Sequence, residues 1–209
     1  MEEAKRQGYY FLSNEEAGKL SQILFRPNGA LNPEVVGRPA GHLAKLAGFS
    51  VPGHVKILVA REREAGIGYP YSMEKLCPVL AFYVMDSEEE ILKKCVEILD
   101  FEGAGHTFAI HAEEEEVVRK FAAKIPVSRF LVNTPAALGG IGATTGLFPA
   151  LTLGCGAVGG SSSSNNISPL DLINIRRVAW GTEAPKQKEL HSPELVELLA
   201  QKILERLEH

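Results

Sequence analysis

Residues 107–133 read TFAIHAEEEEVVRKFAAKIPVSRFLVN. Two short apolar runs, 107–111 and 129–133, flank a segment that starts with four glutamates and stops at Pro126. Acidic side chains stabilise the N-terminus of a helix, whereas proline interrupts a helix. The apolar face of this helix would consist of Val117, Val118, Phe121, Ala122 and Ile125. The segment therefore predicts strand, helix and strand, which is the βαβ unit of a parallel sheet.

The same alternation of strands and helices continues toward the N-terminus. Residues 55–60 and 78–84 are short apolar runs, and each predicts a further buried strand. Strands that alternate with helices at this spacing indicate βαβ crossovers. The predicted fold class is α/β with a mainly parallel sheet. In such folds we expect ligands at the carboxyl ends of the strands.

Helix starts are marked by two pairs with capping-box spacing, Ser13 with Glu16 and Ser87 with Glu90. The first pair predicts a helix over residues 14–25. The inward positions of the helix after the second pair would be Ile91, Leu92, Cys95, Val96, Ile98 and Leu99. Two short helices are also predicted, one from Pro33 and one over residues 40–46.

The composition excludes several classes of protein. The chain has 209 residues, of which 45% are hydrophobic, and its 22 Lys and Arg against 26 Asp and Glu give a net charge of −4. It has no basic block and no apolar run of about 20 residues, so we expect neither nucleic-acid nor membrane partners. The start MEEAKRQGYY is not a secretory signal. Three cysteines without CxxC spacing predict reduced thiols in a cytoplasmic protein, with no zinc site.

Charge is unevenly distributed along the chain. Residues 127–182 contain four charged side chains among 56 residues, whereas 23% of the whole chain is charged. The four are Arg129, Asp171, Arg176 and Arg177. A free surface is rarely so poor in charge. This region is therefore expected to be core, or to be covered by another chain, another domain or a ligand.

A glycine-rich segment, residues 139–146, reads GGIGATTG. Backbone N–H groups of such a loop can cradle phosphate, but the segment has no P-loop lysine and does not match GxGxxG. A tight turn with close backbone packing is the alternative. The polar run 161–166 is either an exposed loop or a polar strip against a cofactor.

Few other side chains are candidates for chemistry. His106 precedes the strand at 107–111 and is either structural or catalytic. His111 lies five residues further on, an odd offset that places the two rings on opposite faces and argues against a metal pair. Cys95 is expected in the core, while Cys77 and Cys155 are potential nucleophiles without a neighbouring histidine. Glu74, considered alone, is a solvated loop carboxylate.

Together these motifs resemble one family over about residues 5–180. The matching segments are EKLCP at 74–78, GHT at 105–107, LVNTP at 131–135, GGIG at 139–142, LTLGCG at 151–156, GGS at 159–161 and LINI at 172–175. Their order and spacing are similar to the C-terminal part of CoA-acylating aldehyde dehydrogenases, a group that includes the aldehyde dehydrogenase half of bifunctional aldehyde-alcohol dehydrogenases. The resemblance implies a three-layer α/β/α fold of the aldehyde dehydrogenase catalytic-domain type.

The resemblance also implies a reaction in which a short-chain aldehyde, NAD and the co-substrate coenzyme A give acyl-CoA and NADH through a cysteine thioester. Glu74 would bind the nicotinamide ribose hydroxyls, and Leu76 would pack near the nicotinamide. His106 would lie beside the thioester as an acid/base or positioning group. The acyl pocket would be lined by Gly139, Gly140, Ile141 and Gly142.

One departure from the family pattern limits these expectations. In the family, the nucleophilic cysteine and the dinucleotide-binding domain lie upstream of the segment that begins here. Residues 1–182 are therefore expected to be a catalytic-domain fragment that is inactive alone. Residues 172–180 resemble the family's terminal strand, which joins a partner's sheet, so we expect a homo-oligomer.

The tail is predicted to be a linker over 183–191 and an amphipathic helix over 192–206, with residues 207–209 a tag remnant. Such a helix is similar to encapsulation peptides that bind shell proteins of bacterial microcompartments, which would place the protein inside one. Alternatively it packs on its own domain or leads to a fused alcohol dehydrogenase. A competing hypothesis for the whole chain is a non-catalytic scaffold or regulatory module that binds CoA or a nucleotide.

Overall fold

The computed structural model describes residues 1–181, 197–198 and 200–202. It divides into two units, residues 1–168 and 169–209. The helices of the first unit are α1 (Glu2–Arg6), α2 (Asn14–Leu24), α3 (Ala40–Leu46), α4 (Glu88–Glu102), α5 (Glu115–Ala122) and α6 (Ala136–Gly140). Its strands are β1 (Tyr9–Phe11), β2 (Ile57–Arg61), β3 (Val79–Phe82), β4 (Thr107–Ile110) and β5 (Arg129–Val132). Short 3-10 turns occupy Pro70–Ser72, Ala157–Gly159 and, in the second unit, Pro169–Leu172.

All strand pairs of the first unit are parallel, which confirms the α/β class. The strand order is β1-β2-β3 in one sheet and β4-β5 in a second. In the first sheet Leu58 of β2 lies opposite Tyr10 of β1 and Val79 of β3. In the second sheet Phe108 and Phe130 are paired, and their rings stack with centroids 5.3 Å apart. The predicted parallel sheet is thus present in two hydrogen-bonded parts among the described residues.

Each part of the sheet has its own hydrophobic core. The larger core lies against β2 and is formed by fully buried side chains, among them Leu20, Leu24, Val35, Leu43 and Leu58. Leu92 of α4 and Phe121 of α5 pack with Ile125 in the smaller core, against β4 and β5. Burying such side chains contributes roughly 1.5–3 kcal/mol each. The two cores fix the loops between strands and helices, where the candidate site residues lie.

Most predicted elements are present with shifted ends, and four details were wrong. A helix from Pro33 is absent, because the Gly37 N–H, which would close a helical turn on the Pro33 carbonyl, donates to the Leu76 carbonyl instead, and residues 33–37 form turns. Strand β1 was not predicted. Of the inward positions, Ile91 is 41% exposed and Ala122 is also exposed. Ser87 caps α4 by accepting the Glu90 N–H, but the Glu90 carboxylate accepts the Asp86 N–H rather than that of Ser87.

The charge-poor region is mostly surface within this chain. Outside β5 and α6 its residues form turns and irregular segments, with a few buried positions such as Thr134 and Asn166. In the second unit the segment 172–180 pairs with no strand among the described residues, and Leu172 and Trp180 are 86% and 82% exposed. The predicted linker and most of the predicted C-terminal helix lie outside the described residues, although 197–198 and 200–202 are helical.

Candidate functional site

The predicted site residues lie at the amino edge of the strands. Glu74 and Leu76 precede β3, and His106 precedes β4. Only the glycine loop follows a strand, β5, and there the chain folds back through α6 so that Gly140 lies near Thr107, the first residue of β4. Except for the glycine loop, these candidate residues therefore precede strands instead of following them, whereas we expected ligands at the carboxyl ends.

His106 is exposed and is held in a left-handed backbone conformation with φ of 53°. That conformation is uncommon for a residue with a side chain, so the surroundings must fix it. The His106 N–H donates to the Cys155 carbonyl at 3.2 Å, and the His106 carbonyl accepts the Arg129 backbone N–H at 3.1 Å. Its Nδ1 lies 2.9 Å from Thr107 Oγ1, which orients the imidazole.

The Glu74 loop is anchored from inside by its lysine. Lys75 donates to the carbonyls of Tyr71 and Met73 at 2.5 and 2.6 Å, and burial lowers the pKa of its amine. Because Lys75 points inward, its neighbours Glu74 and Leu76 point outward, and Leu76 is 57% exposed with φ of 46°. The exposed Glu74 carboxylate can accept two hydroxyl hydrogen bonds, as ribose binding requires.

Close approach explains two glycines of the loop after β5, Gly139 and Gly142. A Cβ at Gly139 would lie 2.7 Å from Thr134 Cγ2, and one at Gly142 would lie 2.5 Å from the Leu147 carbonyl oxygen. Gly142 also has φ of 81°, which favours glycine. Beyond the loop lies an open, mainly apolar cavity of about 360 Å³. Its lining residues are Ile141, Gly142, Ala143, Pro149, Ala150 and Leu151.

Thr107 brings two of the predicted elements together. Its Oγ1 contacts the His106 ring and lies 3.6 Å from the position of a Cβ on Gly140. Glu74 joins this region through its backbone, because its N–H donates to the Glu102 carboxylate at 2.6 Å, at the end of α4 that leads to His106. The arrangement brings the His106 ring and Gly140 next to Thr107, and the lining of the apolar cavity begins at Ile141, the residue after Gly140.

The buried pair Arg129 and Asn166 was missed by the sequence interpretation. Arg129 is 3% exposed, and its Nε donates to Asn166 Oδ1 at 2.6 Å. Asn166 Nδ2 donates in turn to the carbonyls of Gly140 and Phe148 at 2.9 and 2.8 Å. The signal was a lone charge within an apolar strand of the charge-poor region, because a buried charge requires hydrogen-bonding partners.

The three cysteines are free thiols in partly buried positions. Cys95 packs on the smaller core and Cys77 on the larger one, and burial raises the pKa of both thiols. A raised pKa keeps a thiol protonated at neutral pH and therefore unreactive. Cys155 Sγ lies 3.1 Å from both Ser161 Oγ and the Gly159 carbonyl oxygen.

The described residues hold neither a metal-binding cluster nor a membrane-spanning helix. They contain no group of three His, Cys, Asp or Glu side chains that could hold a metal ion. Among the same residues, no helix has the length and apolar character needed to cross a membrane.

The known proteins to which this chain is similar are aldehyde dehydrogenases, in agreement with the motifs. The bifunctional aldehyde-alcohol dehydrogenase AdhE of Escherichia coli K12 is 39% identical over 181 residues, which is 84% of this chain and 20% of that protein. The structure of a probable aldehyde dehydrogenase from Listeria monocytogenes matches with a TM-score of 0.83 at 53% identity, over 91% of this chain and 42% of that one. An acetylating aldehyde dehydrogenase from Geobacillus thermoglucosidasius matches with a TM-score of 0.83 at 45% identity, over 89% and 41%. No family model matches the chain.

More distant structures share the fold. One is a propionaldehyde dehydrogenase from the Clostridium phytofermentans fucose utilisation bacterial microcompartment, at 23% identity and a TM-score of 0.67. Another is a propionaldehyde dehydrogenase of Rhodopseudomonas palustris with bound CoA and an acylated cysteine, at 21% identity and a TM-score of 0.63. This chain spans about a fifth of the length of the aldehyde-alcohol dehydrogenases it matches and about two fifths of the matched structures.

Proposed function

Because this chain is homologous to a segment of the CoA-acylating aldehyde dehydrogenases, we propose that it supplies part of the active site of such an enzyme. The enzyme would convert a short-chain aldehyde, CoA and NAD into acyl-CoA and NADH. The observation that carries the proposal is the contact of Thr107 with both the His106 ring and Gly140, the residue before Ile141, where the lining of the apolar cavity begins. The nucleophilic cysteine would come from outside residues 1–209.

His106 is proposed to act at the thioester. Its ring is fixed by Thr107 Oγ1 and its backbone by two hydrogen bonds, so the exposed edge of the imidazole faces a constant position. There it would hold or transfer the proton that the CoA thiol loses when it attacks the acyl group. General acid–base catalysis of this kind contributes about 10²–10⁴-fold to a rate.

The cavity beyond the glycine loop is proposed to hold the acyl chain. Ile141 and Gly142 line it, and the preceding Gly139 and Gly140 are proposed to complete its wall, where the absence of side chains would let the substrate approach the backbone. The lining is mainly apolar, which suits an aliphatic chain.

The Glu74 loop is proposed to hold the nicotinamide ribose. Its exposed carboxylate fits a vicinal diol, and the exposed Leu76 offers an apolar surface to the ring. NAD, when bound, supplies the hydride acceptor of the reaction. Lys75 would keep both neighbours turned outward through its buried hydrogen bonds.

Assembly and location belong to the same proposal. Residues 172–180 present large exposed apolar side chains, as an intersubunit strand would, and burying them would stabilise a homo-oligomer. We infer a cytoplasmic protein, and the tail is proposed to bind a microcompartment shell protein. The microcompartment origin of a distant structural neighbour supports this location.

A chimera tests the proposed activity. The matched segment of the Geobacillus thermoglucosidasius enzyme, 45% identical, is replaced by residues 1–181 of this chain. The expected result is NADH formation from acetaldehyde or propionaldehyde that requires CoA, followed at 340 nm. A folded chimera that forms no NADH, or forms it equally without CoA, contradicts the proposal. This chain alone is the control and should form none.

A further inference from the structure

Arg129 has no role in the reaction as proposed, although it is the charge buried deepest in the candidate site. It is the first residue of β5 and is 3% exposed. Among the described residues no carboxylate lies within ion-pair distance of its guanidinium. Its acceptors are neutral: Asn166 Oδ1 at 2.6 Å, the Gly154 carbonyl at 2.9 Å, and the His106 and Asn165 carbonyls at 3.4 Å each. A buried cation held by neutral oxygens alone calls for an explanation.

One group of these hydrogen bonds ends at the histidine. Both the backbone N–H and Nη1 of Arg129 donate to the His106 carbonyl. On the other side of His106, its N–H donates to the Cys155 carbonyl. The carbonyl of the preceding residue, Gly154, accepts another hydrogen bond from Arg129. The left-handed turn at His106 is therefore held from both sides by segments that Arg129 connects.

The second group of hydrogen bonds runs from Arg129 through Asn166 to the Gly140 carbonyl. Because Arg129 donates to Asn166 Oδ1, the Asn166 amide must present its NH₂ to the opposite side. That NH₂ donates to the carbonyls of Gly140 and Phe148, which directly precede the two segments that line the apolar cavity, 141–143 and 149–151. Arg129 thereby fixes which way the amide faces, and the amide fixes the loop.

We propose that Arg129 is a positioning residue that sets the placement of the His106 imidazole relative to the Gly140 wall. The inference rests on the proposed function, in which these two groups form the acyl-CoA site. Arginine suits the role because its rigid fork directs five donors to acceptors in different directions, whereas lysine offers three donors from one atom. Asn166 transmits the position to the loop.

The test uses matched substitutions in the whole chain. Arg129→Met removes all the donors of the side chain, and Arg129→Lys restores the charge with a subset of them. Arg119→Met and Arg119→Lys are the controls, because Arg119 is an exposed residue of α5 that pairs with Glu115. Amide hydrogen exchange is measured at His106 and at Leu58 in the larger core, together with the NMR cross-peak between the His106 ring and Thr107.

A positioning role predicts a local change. In Arg129→Met the His106 amide should exchange at least tenfold faster and the ring cross-peak should weaken, while exchange at Leu58 stays within twofold. Arg129→Lys should recover part of the loss, and the Arg119 variants should change neither site. Equal acceleration at His106 and Leu58, or no acceleration at His106, would overturn the proposal, because the first result means a general stabilising role.

Asn166→Asp is a second variant in case Arg129→Met does not fold. The aspartate keeps an acceptor for Arg129 but loses the NH₂ that holds Gly140. Exchange at the neighbouring Ile141 amide should rise at least tenfold, and exchange at His106 should stay within threefold. Unchanged exchange at Ile141 would overturn the transmission through Asn166.

Kinetics of the chimera separate this inference from the proposed function. In an active chimera, Arg129→Lys should lower kcat at least tenfold with the KM for aldehyde within threefold, because positioning acts on the reacting groups. An unchanged kcat would contradict the positioning role. If the chimera is inactive, the proposed function fails, while the exchange measurements still decide whether Arg129 positions His106.

Discussion

Gly139 and Gly140 are adjacent buried residues of α6, yet the structure predicts opposite effects for alanine at the two positions. A Cβ at Gly139 would lie 2.7 Å from Thr134 Cγ2 and 3.0 Å from Leu131 Cδ1. Neither neighbour moves easily, because Leu131 is buried in β5 and Thr134 Oγ1 is hydrogen-bonded to Thr144 Oγ1 at 2.5 Å. At Gly140 the nearest atom, Leu153 Cδ1, is 3.5 Å away, which is ordinary contact.

The expected difference in the free energy of unfolding follows from comparing the two variants. Replacing glycine by alanine in a helix gains up to about 1 kcal/mol at either position. Only Gly139→Ala adds the cost of overpacking, about 1–3 kcal/mol. Gly139→Ala should therefore be less stable than Gly140→Ala by about 1–3 kcal/mol, equivalent to a difference in Tm of roughly 2–12 °C for a chain of this size.

Urea denaturation of both variants, followed by circular dichroism, measures this difference directly. Equal free energies of unfolding, or a more stable Gly139→Ala, would refute the reasoning from close approach at α6. In the active chimera, Gly140→Ala should lower the rate of acyl transfer more than Gly139→Ala does, because a methyl group at Gly140 faces Thr107 beside His106.

Two further predictions concern stability. Ser13→Ala removes a complete capping box on α2 and should cost about 1 kcal/mol in the free energy of unfolding. The control Ser21→Ala removes only a hydroxyl bond to the Gly18 carbonyl in the same helix and should cost much less. Equal losses in urea denaturation would contradict the cap. Partial burial raises the pKa of the Cys95 thiol above its unfolded value of about 9, so the stability from the protonated thiol is present below pH 9 and is lost as the pH rises through the folded pKa. The difference in free energy of unfolding between the unsubstituted chain and Cys95→Ala should therefore narrow above about pH 9. A constant difference would contradict the raised pKa.

Local patterns identified most of the elements that position the site. Helix α3 has the predicted bounds, Ala40–Leu46, because its glycine and proline boundaries are local. Strand β1 was missed, since three residues are too few to show a periodicity and their pairing partner, β2, lies about 48 residues away. The turns after Asn32 were missed because the Gly37 N–H donates to the carbonyl of Leu76, a contact with a distant loop that the local pattern at Pro33 does not show.

The candidate site residues could be predicted only where they belong to a motif that resembles the family. Glu74, His106 and the glycine loop were identified by resemblance, and their roles remain proposals. The contact between Arg129 and Asn166 spans 37 residues and depends on two loops that fold back over β5, so neither residue type nor spacing revealed it. The charge-poor composition was visible in the sequence, but only the structure shows that much of the region is exposed in this chain.

His106 is proposed to act at the thioester of a CoA-acylating aldehyde dehydrogenase. The decisive measurement is the rate of acyl-CoA formation in the chimera carrying His106→Gln, with His111→Gln as the matched control on an exposed histidine five residues away. We expect kcat to fall by about 10²–10⁴-fold for His106→Gln. The control should stay within twofold. A His106→Gln rate within threefold of the unsubstituted chimera would contradict the claim.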